Sequence, residues 1–216
     1  MGSQGQGHRV TMTSPTVSSP CDRDPTPPSD PEGTMPEPLA PGVWEPARGA
    51  LYSLHGDHVV RKLADRLGIS NGLDWSPDQR TFYHVDSLDY AVYAYDYDVQ
   101  AGTIENRRLL LQLPRGGAMP DGLCVDTAGS LWVACIDGGR VIRVDPHTGS
   151  RVGTLEFPVS RVTSCCFGGA DYADLFVTSA ADGLSAEQLR GEPQAGHVFK
   201  VSGLGVRGRA CFTFVG

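Results

Sequence analysis

Three related segments of the sequence each place polar side chains directly before a hydrophobic run. Asn71-Gly72, Asp121-Gly122 and Thr163-Ser164 hold these positions. Amide, carboxylate and hydroxyl oxygens can accept hydrogen bonds or bind a hard cation, and a carboxylate can also take a proton from water. Asn-Gly and Asp-Gly are equally strong turn dipeptides, because Gly, Asn and Asp tolerate the positive φ of tight turns. The residue types alone leave both interpretations open.

The hydrophobic runs that must position these residues recur at a regular interval. Runs of strand length begin at Phe82, Leu131 and Leu175, at spacings of 49 and 44 residues. This interval is typical of a four-stranded propeller blade, and no long amphipathic helix interrupts the pattern. The sequence therefore predicts an all-β propeller. Because innermost strands begin at one end of the central channel, Asn71, Asp121 and Thr163 or Ser164 should converge there.

Composition and charge narrow the class of partner. The chain has 216 residues, a net charge of -7 and a pI of about 5.3, which argues against the basic surface that nucleic-acid binding needs. Its longest apolar runs fall well short of the roughly 20 residues of a membrane helix. The first ten residues show no apolar stretch typical of a secretory signal. We therefore expect a cytoplasmic protein with neither a nucleic-acid nor a membrane partner.

Two regions differ in composition. Residues 1–32 are rich in Pro and Ser, with few large apolar residues, which predicts disorder. Residues 33–216 carry the strand pattern and are predicted to form the propeller. The six cysteines include no Cys-x-x-Cys pair and no zinc-like spacing, so buried reduced thiols are expected.

Several longer motifs in this region resemble the SMP-30/gluconolactonase family. They occur in the family's order and are Ile69–Ser76, Pro120–Asp126, Leu131–Cys135, Gly138–Arg143 and Thr163–Gly169. The resemblance extends from about Gly33 to the C-terminus. It implies a propeller of the six-bladed type, with hydrolysis of sugar lactones at a divalent metal in the central channel.

The resemblance also implies a set of metal ligands. The family holds its metal, usually Ca²⁺ with Zn²⁺, Mn²⁺ or Mg²⁺ as alternatives, by a Glu, two Asn and an Asp. Asn71 and Asp121 match one Asn and the Asp, and Asp121 is also the candidate general base. The motifs that carry the Glu and the second Asn do not occur in this sequence. The family's substrate-binding Glu aligns with Pro38, beside Glu37, so no substrate-binding residue is assigned.

The length after residue 32 suffices for about four blades at the observed period, not for six. We therefore expect an incomplete ring in a truncated or variant family member, whose open strand edges favour self-association. Two functions remain open. One is calcium-dependent lactone hydrolysis with a sugar lactone as substrate, and the other is a non-catalytic module that binds calcium or a partner.

Overall fold

The computed structural model describes residues 9–13, 47–55 and 58–210, and this part of the chain is all-β with four antiparallel sheets. The first two sheets follow each other along the chain. The three strands of the first sheet are β1 (Arg9–Thr13), β2 (Gly49–Leu54) and β3 (Val60–Leu67). The four strands of the second sheet are β4 (Ser70–Trp75), β5 (Thr81–Asp86), β6 (Ala91–Asp98) and β7 (Thr103–Gln112).

The remaining two sheets follow in chain order. In each of them the first strand in the chain is the innermost one, and the later strands lie progressively further out. The third sheet contains β8 (Met119–Val125), β9 (Leu131–Ile136), β10 (Arg140–Val144) and β11 (Arg151–Glu156). The fourth contains β12 (Val162–Gly168), β13 (Asp174–Ser179) and β14 (Val198–Val201). The six-residue helix α1 (Ala186–Gly191) lies between β13 and β14. No helix of the described residues is long and apolar enough to cross a membrane.

A hydrophobic cluster fills each space between successive sheets. In β5, Phe82 packs toward Leu51 and Leu67 of the first sheet, whereas Val85 packs toward Val133 of the third. In β9, Trp132 packs in turn toward the fourth sheet. Strands that bury both faces in this way alternate their side chains between two cores. The sheets therefore stack face to face, and the all-β class predicted from the repeat is confirmed.

The segment predicted to be disordered falls mostly outside the described residues, as do Glu37 and Pro38. Within it, β1 pairs antiparallel with β2, and Arg9 lies opposite Leu54. The sequence pattern did not predict this strand. Its partner lies some 40 residues further along the chain, so no local turn signal links the two.

Asp126 joins strands of the third sheet from a fully buried position. Its carboxylate accepts hydrogen bonds from the backbone N–H groups of Ala128 and Ser130, at 3.0 and 2.9 Å. It also accepts from Trp132 Nε1 at 3.0 Å and from Arg143 Nη2 at 2.8 Å. These four donors fully occupy the buried anion and tie the β8–β9 turn to β10.

The cysteine prediction is confirmed for three residues and wrong for one. Cys124, Cys135 and Cys165 are buried free thiols, whereas Cys166 is exposed because it follows Cys165 on β12 and points to the opposite face. The Sγ atoms of Cys124 and Cys165 are 3.8 Å apart, and this hydrogen bond, with burial, raises the pKa of Cys124. Cys21 and Cys211 lie outside the described residues.

His84 is a fully buried histidine whose pKa should make folding sensitive to pH. Burial, with a smaller effect of Arg107, lowers its pKa from 6.5 to about 4. The unfolded chain therefore binds a proton more readily than the folded chain between these values, so stability falls as the pH drops through this window. At about 1.4 kcal/mol per pKa unit, His84 should contribute a loss of about 2 kcal/mol between pH 7 and 5.

Urea unfolding at pH 7 and pH 5 measures this effect. His84→Gln should be less stable at pH 7, because it disturbs a packed side chain, yet lose less free energy of unfolding than the parent on acidification. His147→Gln, which removes an exposed histidine, should keep the parental pH dependence. Equal pH dependence in the parent and His84→Gln would contradict the assignment.

Candidate functional site

The innermost strands of three sheets carry a bulge at the same place. Pairing shifts by one residue between Ser70 and Leu73 in β4, between Pro120 and Leu123 in β8, and between Val162 and Ser164 in β12. The bulges therefore contain Asn71-Gly72, Asp121-Gly122 and Thr163. A bulge bends its strand and redirects a side chain, which is why bulges are frequent beside functional sites. The convergence predicted from the sequence thus has a structural basis in each strand.

The glycines of these bulges allow the innermost strands to approach each other closely. A Cβ atom on Gly72 would lie 2.6 Å from the Asp121 carbonyl oxygen, and one on Gly122 would lie 2.7 Å from Ser164 Cα. Both glycines lie within strands and neither has a positive φ. The turn interpretation of the two dipeptides is therefore wrong. Gly is needed here because there is no room for a side chain between neighbouring backbones.

Asn71 and Asp121 lie side by side. The Asn71 side chain is close enough to the partly buried Asp121 carboxylate to favour its charged form, which lowers the Asp121 pKa. Burial nevertheless raises the pKa of Asp121 from 3.8 to about 6, because its carboxylate is partly removed from water. The Asn71 side chain and the positive charge of Arg161 oppose this rise, whereas the negative charge of Asp137 adds to it. The site therefore holds a carboxylate whose charge is only partly compensated by its neighbours.

The hydroxyl groups predicted to join this pair behave differently from each other. Ser164 packs against Gly122 and so lies beside the strand that carries Asp121. Thr163 occupies the bulge position equivalent to Asn71 and Asp121, but its hydroxyl pairs with Thr178 Oγ1 at 2.8 Å. The structure thus brings Asn71, Asp121 and Ser164 together at adjoining strands, while the Thr163 hydroxyl is used within its own sheet.

Two residues that the sequence did not single out hold Asn71 in place. The Asp86 carboxylate accepts from the backbone N–H groups of Gly68 and Ile69, at 2.8 and 3.1 Å, and so fixes the turn before β4. The buried Ser87 hydroxyl accepts from Asn71 Nδ2 at 3.2 Å and donates to the Pro120 carbonyl at 2.7 Å. In the sequence, these two residues appear only as an Asp-Ser dipeptide at the end of β5, which by itself does not predict contacts with Asn71.

A charged pair lies close enough to influence Asp121. Arg161 Nε is 3.2 Å from Asp137 Oδ1, and the Arg161 guanidinium also donates to the Asp182 carbonyl. Arg161 lies just before β12, the innermost strand of the fourth sheet, and Asp137 follows β9, the second strand of the third sheet. Sequence reasoning missed them because neither occupies a repeated motif position.

The donor atoms suit a hard cation in part. Asn71 and Asp121 can offer an amide oxygen and a carboxylate, which are ligands that Ca²⁺ accepts among its six to eight oxygens. A cation would also compensate the negative charge of the Asp121 carboxylate, which is unfavourable because the group is partly buried. Among the described residues, no three His, Cys, Asp or Glu side chains form a cluster that could hold a metal ion. The ligand roles of Asn71 and Asp121 remain predictions.

Comparisons with known proteins agree with these features. Residues 32–181 match the family described as "SMP-30/Gluconolactonase/LRE-like region". Regucalcin of Gallus gallus is 55% identical over 184 residues, which cover 85% of this chain and 62% of that protein. The chain thus spans less than two thirds of the length of this relative.

Solved structures show the same architecture. A luciferin-regenerating enzyme superposes with a TM-score of 0.72 at 36% identity, covering 78% of this chain and 55% of that one. A calcium-binding protein, regucalcin from Agrobacterium tumefaciens, also gives a TM-score of 0.72, at 29% identity, covering 76% of this chain and 55% of the other. With its four sheets, its bulged innermost strands and its matched motifs, the chain belongs to the SMP-30/gluconolactonase family.

Proposed function

We propose that this chain contributes to a calcium-dependent sugar-lactone hydrolase, with Asn71 and Asp121 as two of the metal ligands. The observation that carries the proposal is their placement on neighbouring innermost strands, each in a bulge, with the Ser87 hydroxyl linking Asn71 to the residue before Asp121. Membership of the gluconolactonase family and similarity to a calcium-binding regucalcin support it. Zn²⁺, Mn²⁺ and Mg²⁺ are alternative occupants.

The chemistry assigned to the chain's residues follows from the site. A bound cation would supply polarisation of a lactone carbonyl. Asp121 takes a proton from the attacking water, because a carboxylate can act as the general base in such a step. Asn71 keeps its amide beside that carboxylate and directs the remaining polar atom, Oδ1, away from the groups that bind Nδ2. Together they form an acceptor pair suited to a water and a cation.

The proposal also covers the blade number and the source of the remaining metal ligands. We expect the four sheets to correspond to part of a six-bladed ring, with the family's Glu and second Asn absent from the motifs present here. Self-association through the open edges of the terminal sheets would be a way to bring further ligands to the metal. The cytoplasmic location expected from the sequence stays a prediction.

Lactone hydrolysis by the purified chain, with and without added CaCl₂, tests the function. Calcium-dependent turnover is expected, and Asp121→Asn should reduce it by about 100-fold, because a proton acceptor and a charged ligand are lost together. Asp98→Asn is the matched control, since Asp98 is an exposed carboxylate that bonds only to the amides of its own turn, at Gln100 and Ala101. It should leave turnover unchanged.

Thermal unfolding with increasing CaCl₂ gives a second readout from the same variants. Binding to the folded chain should raise the unfolding temperature. Asp121→Asn should lose this rise without lowering the stability of the calcium-free chain, because the variant no longer buries a charge. A folded chain that shows neither turnover nor a calcium response would contradict the proposal, whereas a calcium response without turnover would indicate the non-catalytic module.

A further inference from the structure

Ser87 lies directly after β5 and is almost fully buried, with 3% of its surface exposed. Its hydroxyl joins two strands that belong to different sheets. Oγ donates to the carbonyl of Pro120, the residue before Asp121, at 2.7 Å, and accepts from Asn71 Nδ2 at 3.2 Å. One side chain therefore connects the amide of Asn71 to the backbone that carries Asp121.

The direction of these hydrogen bonds fixes how the Asn71 amide must be oriented. A serine hydroxyl has a single hydrogen to donate, and its lone pairs remain available as acceptors. Since the Pro120 carbonyl can only accept, it takes that hydrogen. The Ser87 oxygen can then only accept from Asn71, so it must face the amide nitrogen and not the amide oxygen. Oδ1 is consequently directed away from Ser87.

The hydroxyl is not required by the fold at this position. Strand register places three residues at equivalent points at the end of the second strand of their sheets, namely Ser87, Ile136 and Ala180. Ser87 and Ala180 make the same backbone hydrogen bond to the residue before the innermost strand. The N–H of Ser87 bonds to Ile69 O at 3.0 Å, and that of Ala180 bonds to Arg161 O at 2.9 Å. Among these three sheets, the hydroxyl occurs in the one whose innermost strand presents an Asn in its bulge.

We propose that Ser87 is a positioning residue that locks the side-chain amide of Asn71, so that Oδ1 is presented as a ligand to the cation. The role in metal binding rests on the proposed function, whereas the orientation of the amide does not. Without the hydroxyl, the amide can rotate by half a turn and present Nδ2, which cannot bind a cation. Residues that orient a ligand in this way typically change metal affinity by 10-fold to 100-fold when they are removed.

The amide can be observed directly in the calcium-free chain. The sequence contains two asparagines, Asn71 and Asn106, so selective ¹⁵N labelling of Asn gives two pairs of side-chain amide signals. In Ser87→Ala, the Asn71 pair should shift and lose protection from hydrogen exchange. The Asn106 pair should not change, since that exposed amide bonds to Asp96 Oδ2 at 2.7 Å, and it serves as an internal reference.

Calcium binding provides the functional arm. CaCl₂ titration should show about 10-fold weaker binding to Ser87→Ala than to the parent chain. Ser53→Ala is the matched control, because it removes another fully buried hydroxyl, bonded to His55 Nε2 at 3.1 Å, without touching Asn71. It should lower stability comparably and leave both calcium affinity and the Asn71 signals as they are.

The outcomes separate this inference from the proposed function. Unchanged Asn71 signals in Ser87→Ala would overturn the inference, as would unchanged calcium affinity in a chain whose parent binds calcium. Shifted signals together with weaker binding would support it. A parent chain that does not respond to calcium would overturn the proposed function, and the amide signals would still decide whether Ser87 orients Asn71.

Discussion

Asp126→Ala is expected to lower the free energy of unfolding by about 3–5 kcal/mol, because it removes a fully buried carboxylate that accepts from four donors. The variant leaves the Arg143 guanidinium without the carboxylate at 2.8 Å and Trp132 Nε1 without its acceptor. It also releases the two backbone amides of the β8–β9 turn. Each buried donor left unpaired adds a desolvation cost, so the loss exceeds that of an ordinary surface substitution.

Denaturant unfolding at neutral pH measures this change, with Asp98→Ala as the control. Asp98 also accepts from two turn amides, at 2.8 and 3.0 Å, but it is exposed, so its removal should cost less than about 1 kcal/mol. If Asp126→Ala does not fold, Asp126→Asn retains the shape of the side chain and should show an intermediate loss. A loss for Asp126→Ala no larger than for Asp98→Ala would contradict the role assigned to this carboxylate.

Gly72→Ala is expected to destabilise the chain by about 3 kcal/mol or more and to abolish calcium binding. The added methyl would lie 2.6 Å from Asp121 O and 2.7 Å from the Gly122 carbonyl carbon, which are backbone atoms that no side-chain rotation can move. The two innermost strands would have to separate. Overpacking of a tight interior usually costs 1–3 kcal/mol, and a clash with backbone lies at the upper end.

Gly191, the last residue of helix α1, offers the control. A Cβ atom on Gly191 would meet no other atom within 4 Å, so Gly191→Ala should be neutral or slightly stabilising. Thermal unfolding and CaCl₂ titration of both variants check the prediction. A Gly72→Ala chain with parental stability would show that the strands can separate freely, and would remove the steric argument for glycine in the bulges.

Much of the architecture could be predicted from the sequence because each blade of a propeller repeats the same pattern of strands. The runs at Phe82, Leu131 and Leu175 gave the strand interval, and the matched polar positions placed Asn71 beside Asp121. Two sequence-distant residues meet in this case because equivalent positions of neighbouring sheets are adjacent. Periodicity thus carried three-dimensional information that a single motif does not contain.

The bulge glycines and Ser87 could not be predicted in the same way. An Asn-Gly pair looks identical in sequence whether its glycine supplies positive φ or merely leaves space, and only the distance to the next strand decides. Ser87 contacts residues that lie 16 and 33 positions away, and its equivalents Ile136 and Ala180 share no polar pattern with it. Because the supporting serine occurs in one sheet and not at the equivalent positions of its neighbours, the sequence repeat does not predict it.

The clusters between successive sheets also bear on how such a protein can change in evolution. Each described core is shared by two neighbouring sheets. Gain or loss of a whole sheet through duplication or deletion should therefore disturb only the cores that this sheet shares. Asn71 and Asp121 come from the second and third described sheets. Their pairing would survive such events at other sheets, because it depends on one sheet interface.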